Sequence, residues 1–319
     1  MAIEKKFIDQ FVNVTSNAAV ASYNFIGKKN KIAADKAAVD SMRNDLNQLN
    51  IKGKIVIGEG ELDEAPMLYI GEKVGTTNGP EIDIAVDPLE GTNFAAYNLP
   101  GALSVIAIAE KNNLFHAPET YMEKISTKVH EKGVVDLDYS TKKNIFNLCE
   151  YLNKKPESIT ACIMDRPRHK DIIDELDILG VKIKLITDGD VSGALLVTDD
   201  KYGVDIFLGI GGGPEGVLAS AALDTFECNF QGRFLFHTED DMRRAKKMGI
   251  KDLTKKYQLK EIIRGDTIFC ATGITSSDLV SGIKIENDEY ISETLITHKS
   301  SGIKKIIKKF EIDRANHYL

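Results

Sequence analysis

The chain has 319 residues, 43% of them hydrophobic and 28% charged, with a formal net charge of −7. A chain of that length and composition can bury a large core in about two domains, and its acidic balance argues against general nucleic-acid binding, which needs a basic face. Its four cysteines, Cys149, Cys162, Cys228 and Cys270, have no close partner in sequence, so neither a zinc knuckle nor a redox CxxC is available and a reducing cytoplasm fits.

Residues 3–20 mix Glu4, Lys5, Lys6, Asp9 and Asn13 with apolar residues at helical spacing. This predicts an amphipathic helix, unlike the uninterrupted apolar stretch of a signal peptide. A second helix is expected over 35–49, where Val39, Met42, Leu46 and Leu49 follow steps of three and four and Asp35 sits one step earlier on the same stripe. An inward carboxylate needs a partner, and a cation is the obvious one; an acid facing solvent at a helix start is the alternative. The strand expected at 54–57 runs into Gly58-Glu59-Gly60-Glu61, with Asp63 and Glu64 beyond. Glu59, between two glycines, is the best placed of these acids, and a solvated acidic loop is the ordinary reading of the others.

The next strand, 82–86, ends in Asp87-Pro88-Leu89-Glu90-Gly91-Thr92. Pro88 cannot donate to a ladder and is expected to stop the strand, and Gly91 allows a sharp bend. Asp87, Glu90 and Thr92 are then presented together at a strand's carboxyl end. The hexapeptide reads either as a solvated turn or as half of a Mg²⁺ or Mn²⁺ site with a hydroxyl beside it. A strand over 103–109 follows across a polar loop without a clear helix, which predicts a mixed sheet. Its apolar run is far below the ~20 residues of a membrane span, so no membrane insertion is expected.

The polar stretch 153–157 is the expected junction between a domain of residues 1–155 and one of residues 156–319. Further strands are expected at 159–164, 181–186, 204–208 and 267–271, and helices at 141–152, 169–179, 192–197, 214–223 and 240–247. Such alternation favours a layered α/β architecture. Arg166 and Arg168 follow the first of these strands and suit bidentate phosphate contacts. Asp188 and Asp190 follow the second, where carboxylates accept hydrogen bonds from sugar hydroxyls. After the third comes the glycine loop 209–216, with Pro214 suited to a helix start and Glu215 as its acid. Each loop alone also reads as surface charge; together they describe a pocket for a phosphorylated polyol. The glycine loop does not fit GxGxxG cleanly. Residues 302–312 place Lys304, Lys305, Lys308 and Lys309 around Ile303, Ile306, Ile307 and Phe310. That pattern suggests a helix with a solvated basic face, or one for a membrane surface or an acidic partner.

If Asp35, Glu59, Asp87, Glu90 and Glu215 converge, each pair about 4 Å apart repels by roughly 4 kcal/mol at an effective dielectric near 20. They cannot all stay ionised without a divalent metal. An all-oxygen set favours Mg²⁺ or Mn²⁺ over zinc, and none of the six histidines pairs at metal-ligand spacing.

An ordered series of motifs resembles class II fructose-1,6-bisphosphatase, a branch of the lithium-sensitive, metal-dependent sugar and inositol phosphatases. It is carried by Ala34-Asp35, IVIGEGELDEAPMLYIGEKVG from Ile55, DIAVDPLEGT from Asp83, HAPETYMEK from His116, RPRH from Arg166, DGDV from Asp188, GIGGGPEG from Gly209 and ATGIT from Ala271. The resemblance implies a layered α/β/α/β/α sandwich with mixed sheets and a likeness in chemistry: hydrolysis of the 1-phosphate of fructose 1,6-bisphosphate to fructose 6-phosphate. It implies metal binding by Asp35, Glu59, Asp87, Glu90 and Glu215, with the Leu89 carbonyl a further ligand, and catalysis by Thr92 with Asp35 or Glu59 as base. By the same analogy Glu90, Gly91, Thr92, Tyr121, Arg166, Arg168, Asp188, Asp190, Gly212 and Lys31 meet the substrate. A homodimer or homotetramer is also implied. Ile32 and Ala33 depart from an expected Asn and Thr, the stretch 232–264 is shorter than usual, and Arg166 stands where lysine is common. The alternatives are a broader enzyme that also takes sedoheptulose 1,7-bisphosphate, a related sugar or inositol phosphatase, and a non-catalytic nucleotide or sugar-phosphate-binding regulator.

Overall fold

The structure, a computed structural model, describes residues 3–60 and 67–313, with side chains to residue 310. The acids Glu61, Asp63 and Glu64 lie outside the described residues. Two compact units emerge, one of Met1–Phe115 with Arg264–Leu319, the other of His116–Ile263. The boundary expected near residue 155 is therefore corrected. Stretch 153–157 is a helix end followed by a turn: Asn153 takes a left-handed conformation (φ 51°) and its N–H closes on the Cys149 carbonyl, while Pro156 opens a short 3₁₀ turn.

The first unit begins with α1 (Phe7–Tyr23), α2 (Lys31–Gln48), β1 (Lys52–Ile57), β2 (Lys73–Val74), β3 (Glu81–Glu90), α3 (Thr92–Tyr97) and β4 (Leu103–Glu110). Helix α2 starts four residues earlier than its apolar stripe predicts, because the Asn30 side chain accepts from the Ala33 N–H at 3.1 Å and satisfies a donor of the first turn. β1 and β3 run parallel and β3 and β4 antiparallel, the mixed sheet expected from the missing crossover helix. The short α3 between β3 and β4 is too brief to show a periodic signal.

The second unit contains β5 (Tyr121–Thr127), α4 (Thr141–Leu152), β6 (Thr160–Met164), α5 (Lys170–Ile178), β7 (Lys182–Ile186), α6 (Asp190–Leu195), β8 (Ile206–Gly212), α7 (Gly213–Thr225), β9 (Asn229–Leu235), α8 (Glu239–Lys247), β10 (Lys256–Gln258) and α9 (Leu259–Ile262). Its sheet has the order β10-β9-β5-β8-β6-β7. β6 is parallel to both β7 and β8, while β5 is antiparallel to β8 and β9. Sequence periodicity misses β5 for a physical reason: a strand interior to the sheet should read as apolar, yet Lys124 at its centre is only 1% exposed.

The chain then re-enters the first unit with β11 (Thr267–Gly273), β12 (Lys284–Glu286), β13 (Glu289–His298) and β14 (Ile303–Asp313). β11 pairs antiparallel with β4 from Thr267↔Ala109 to Gly273↔Leu103, which makes this segment part of the first unit's sheet. β14 corrects the expected C-terminal helix. It pairs antiparallel with β13 from His298↔Ile303 to Glu289↔Asp313. Its lysines and isoleucines have helical spacing, but β-branched residues and a preceding turn with Gly302 at φ 63° favour a hairpin once β13 supplies a ladder.

The first core joins Phe11, Ala18, Met42 and Leu46 of the helices to Ile55, Ile84, Ile106, Cys270 and Ile296 of the sheet. The helix–sheet contact of α1 is not purely apolar: Thr272 Oγ1 donates to Thr15 Oγ1 at 2.8 Å and lies 2.7 Å from Thr294 Oγ1. The second core centres on Ile125, Ile145, Leu148, Ala161, Leu176 and Ile206. Among the described residues no helix is long and apolar enough to cross a membrane.

Candidate functional site

In the first unit, β3 does not stop at Pro88. Its register with β4 passes from Asp87↔Val105 to Glu90↔Leu103, so one extra residue is accommodated and Pro88 sits within a bulge. A bulge excuses proline from donating to the ladder and re-aims the residues around it. Glu90, 5% exposed, ends the strand. Gly91 then takes φ 78°, ψ 51° as the residue before α3. A Cβ there would come 2.7 Å from the Phe94 ring, so the turn needs glycine on two counts. Thr92 opens α3, which places Asp87, Leu89, Glu90, Gly91 and Thr92 on one strand-to-helix elbow.

α2 packs against both β3 and α3. Asp35, in its second turn, is half-buried, and that desolvation raises its carboxyl above the ordinary range. Lys31 lies exposed in the first turn, beside an exposed Ile32.

Glu59 follows β1 on a segment pinned by its own backbone: the Glu59 N–H donates to the Leu68 carbonyl at 3.1 Å and the Ile70 N–H to that of Gly60 at 2.9 Å. Glu72, which sequence reasoning missed, and Gly58, one of the two glycines beside Glu59, support this loop. Glu72, 4% exposed, accepts from Arg43 Nε at 2.6 Å and from the Leu68 N–H. Gly58 permits the close approach, since a Cβ would lie 1.9 Å from the Leu68 carbonyl oxygen. Gly58→Ala is therefore expected to shift Glu59 and lower kcat/KM by about 10²-fold, the scale of a ~1 Å displacement, with circular dichroism reporting a retained fold. Because β1 and β3 are parallel neighbours, with Ile57 opposite Ala85, Glu59 and Asp87 emerge at the same end of the sheet.

Among the described residues no three His, Cys, Asp or Glu side chains stand together in an arrangement able to hold a metal ion. The donor chemistry nonetheless suits a hard cation: carboxylates just after β1, on β3 and on α2, with no histidine or cysteine among them.

The second unit gathers its predicted residues at one edge of its sheet. The carboxyl ends of parallel β6, β7 and β8 lead to Arg166, Asp188 and Gly212, and antiparallel β5 starts there, with Tyr121 opposite Gly212. The Arg168 guanidinium lies over the Tyr121 ring, 4.9 Å from its centroid, and donates from Nε and Nη2 to the Ile210 carbonyl at 3.0 and 2.8 Å. Arg166 Nη2 and Asp188 Oδ1 are 4.0 Å apart and partly exposed, a pair worth little to stability. Both arginines keep donors for a further anion.

Glycines admit the acids. A Cβ on Gly211 would lie 2.0 Å from Asp190 Oδ2, and one on Gly212 1.8 Å from Glu215 Oε2. Desolvation, reinforced by the neighbouring Asp190 and only partly offset by Lys124, raises the Glu215 carboxyl above its usual range. Lys124, the last residue of the HAPETYMEK motif and given no role there, pairs with Asp190 and donates to the Gly212 carbonyl at 2.6 Å.

Buried His169 ties the edge together, Nδ1 donating to the Met164 carbonyl at 2.7 Å and Nε2 accepting from the Ile210 N–H at 2.8 Å. That pair of roles requires the neutral ring, and burial lowers its pKa. The unfolded chain therefore takes up this proton first as pH falls. The contribution of His169 to stability should be complete above the ordinary imidazole pKa of about 6.5 and decline below it until the folded-state value is reached. Urea denaturation from about pH 5 to 8 should show this slope in the wild type and a shallower one in His169→Gln.

Over residues 5–311 the chain matches the family described as bacterial fructose-1,6-bisphosphatase, glpX-encoded. It is 42% identical over 320 residues to the Escherichia coli (strain K12) fructose-1,6-bisphosphatase 1 class 2, covering 96% of this chain and 95% of that one. It is 42% identical over 300 residues to the D-fructose 1,6-bisphosphatase class 2/sedoheptulose 1,7-bisphosphatase of Synechococcus sp. (strain CC9902), covering 90% of each. A solved extragenic suppressor protein suhB from Bartonella henselae is similar at TM-score 0.35 and 12% identity over 61% of this chain and 74% of that one, too low a likeness to bear on the fold. With the match spanning nearly the whole sequence, from the first helix to the last strand, the chain belongs to the glpX-encoded bacterial fructose-1,6-bisphosphatases, a family of phosphoric monoester hydrolases.

Proposed function

We propose that the chain hydrolyses the 1-phosphate of fructose 1,6-bisphosphate, giving fructose 6-phosphate and inorganic phosphate, with Mn²⁺ or Mg²⁺ as cofactor. The observation that carries this reading is the shared edge of the second sheet, where the arginines suit a phosphate and the carboxylates of Asp188 and Asp190 suit sugar hydroxyls. Tyr121 and the Gly212 backbone border the same edge.

The residues that would bind metal are, in the first unit, Asp35, Glu59, Asp87, the Leu89 carbonyl and Glu90, and, in the second unit, Glu215. The raised carboxyls of Asp35 and Glu215 support this assignment, because a nearby cation restores the charged form that desolvation disfavours. When bound, the ion supplies charge neutralisation and a water of lowered pKa. Thr92 orients the attacking water through its hydroxyl, and the carboxylate of Asp35 or Glu59 accepts the water's proton. In the second unit Arg166 and Arg168 bind a phosphate while Asp188 and Asp190 accept from the sugar hydroxyls, and in the first unit Lys31 offers a cation to a phosphate.

Phosphate release from fructose 1,6-bisphosphate by the purified protein, with Mn²⁺, with Mg²⁺ and with chelator, tests the reading. Release that a chelator abolishes supports it; saturable binding without turnover would favour a regulator instead. A second substrate, sedoheptulose 1,7-bisphosphate, is favoured by the dual name of the Synechococcus relative, and the ratio of turnover on the two sugars decides it. A cytoplasmic setting is supported by four cysteines that are all buried as thiols, and a homodimer or homotetramer by the family resemblance.

A further inference from the structure

We propose that Lys124 is a positioning residue that presets Asp190 as the hydroxyl-reading group of the sugar site and so sets the selectivity for a polyol phosphate. The inference rests on the sugar-phosphate reading above and assigns a role to a side chain outside the set expected to touch substrate.

Lys124 lies mid-strand in β5, and its cross-strand partners on both sides are glycines, Gly209 of β8 and Gly232 of β9. Its stem packs close to α7, where a Cβ on Gly216 would meet Lys124 Cδ at 3.3 Å. The side chain is 1% exposed and that of Asp190 8%. The ammonium makes two contacts: it pairs with Asp190 Oδ2 and donates to the Gly212 carbonyl at 2.6 Å. One buried cation thus joins the start of α6 to the end of β8.

Both Asp190 oxygens lie close over Gly211, 2.0 and 2.9 Å from the position of a Cβ there, so glycine is needed for the carboxylate to sit in this place. Oδ2 is occupied by Lys124, whereas Oδ1 is buried and has no hydrogen-bond partner among the described residues. Burying an ion pair costs desolvation that Coulomb attraction repays only when the remaining lone pairs are satisfied. Here one acceptor is left over, a poor arrangement for stability alone. It is a good one for a ligand: the carboxylate is immobilised through one oxygen and offers the other to a hydroxyl O–H. A site built to hydrogen-bond a substrate hydroxyl also rejects analogues that lack it.

Without Lys124, Asp190 loses the contact that fixes its orientation, and binding of the hydroxyl-bearing part of the substrate weakens. Lys124→Met is expected to raise KM for fructose 1,6-bisphosphate by about tenfold or more while kcat changes less than about threefold, the pattern of lost uniform binding. Calorimetric titration with fructose 6-phosphate should show a matching loss of affinity. Lys124→Arg, which keeps the cation, should recover part of the loss. Because Lys124 acts through Asp190, Lys124→Met/Asp190→Asn should be no worse than Asp190→Asn alone. The double variant removes both buried charges and serves, with Lys124→Gln, if the single variant does not fold. KM and affinity unchanged in a folded Lys124 variant, or losses from the two substitutions that multiply, would overturn the proposal. A wild type that neither turns over nor binds these sugar phosphates would overturn the functional reading along with it.

Discussion

Glu215→Gln is expected to lower turnover of fructose 1,6-bisphosphate by about 10³-fold while leaving the melting temperature unchanged or raised. The two effects part because the carboxylate serves function at the expense of the fold. Desolvation and the nearby Asp190 both oppose its charge, and Lys124 offsets them only in part. Glutamine keeps the shape and removes the charge, which relieves that cost in the folded protein. It also removes an anionic oxygen that would meet a divalent cation. Gly212→Ala gives an independent check, since the added methyl would occupy the space 1.8 Å from Glu215 Oε2. It should displace the same carboxylate without deleting it. Steady-state kinetics with a thermal melt of each variant reads both effects; a substantial fall in melting temperature for Glu215→Gln would show that the carboxylate is a structural group.

Asp266→Ala is expected to cost about 3 kcal/mol of stability, with little bearing on the chemistry. Asp266, 7% exposed, precedes β11 and ties together distant parts of the first unit. Its Oδ2 accepts from the Ile3 N–H at 2.8 Å and lies 3.1 Å from His298 Nε2. Its Oδ1 accepts from the N–H groups of Thr267 at 3.0 Å and Ser300 at 2.8 Å. Burial alone would push this carboxyl up, but the hydrogen bonds from Ser300, the His298 ring and the Ile3 amide outweigh it and hold the pKa below the usual value. Its stabilisation is therefore complete above the unfolded carboxyl pKa of about 3.9 and is lost as pH falls through the lower folded value. Chemical denaturation at neutral pH should show the full gap between wild type and variant, and that gap should narrow under acid.

Several of these features are plain in the amino-acid order. The arginines after β6, the aspartates after β7 and the glycine run 209–216, which closes β8 and opens α7 instead of forming a loop, each follow a short apolar run, and the roles proposed for them rest on local chemistry: guanidinium for phosphate, carboxylate for hydroxyl, glycine where an acid must lie close. The elbow from Asp87 to Thr92 is legible for the same reason. Its detail is not, because whether Pro88 ends a strand or sits in a bulge depends on how β4 pairs across it. Asp35 illustrates the intermediate case: its place on the α2 stripe implies burial, and the structure makes it half-buried with a raised carboxyl.

What the linear sequence determined was the alternation of helices and strands and the kind of chemistry carried at each strand end, since both depend on residues within a few positions of one another. The tertiary structure alone decided that β5 threads the middle of the second sheet with a lysine inside it, that β14 joins β13 as a strand, and that the chain after Ile263 returns to the first unit. Each of these outcomes turns on partners far away in sequence. A buried ammonium is tolerable only where Asp190 and the Gly212 carbonyl meet it, and an isoleucine-lysine segment becomes a strand only where a neighbouring ladder accepts its hydrogen bonds.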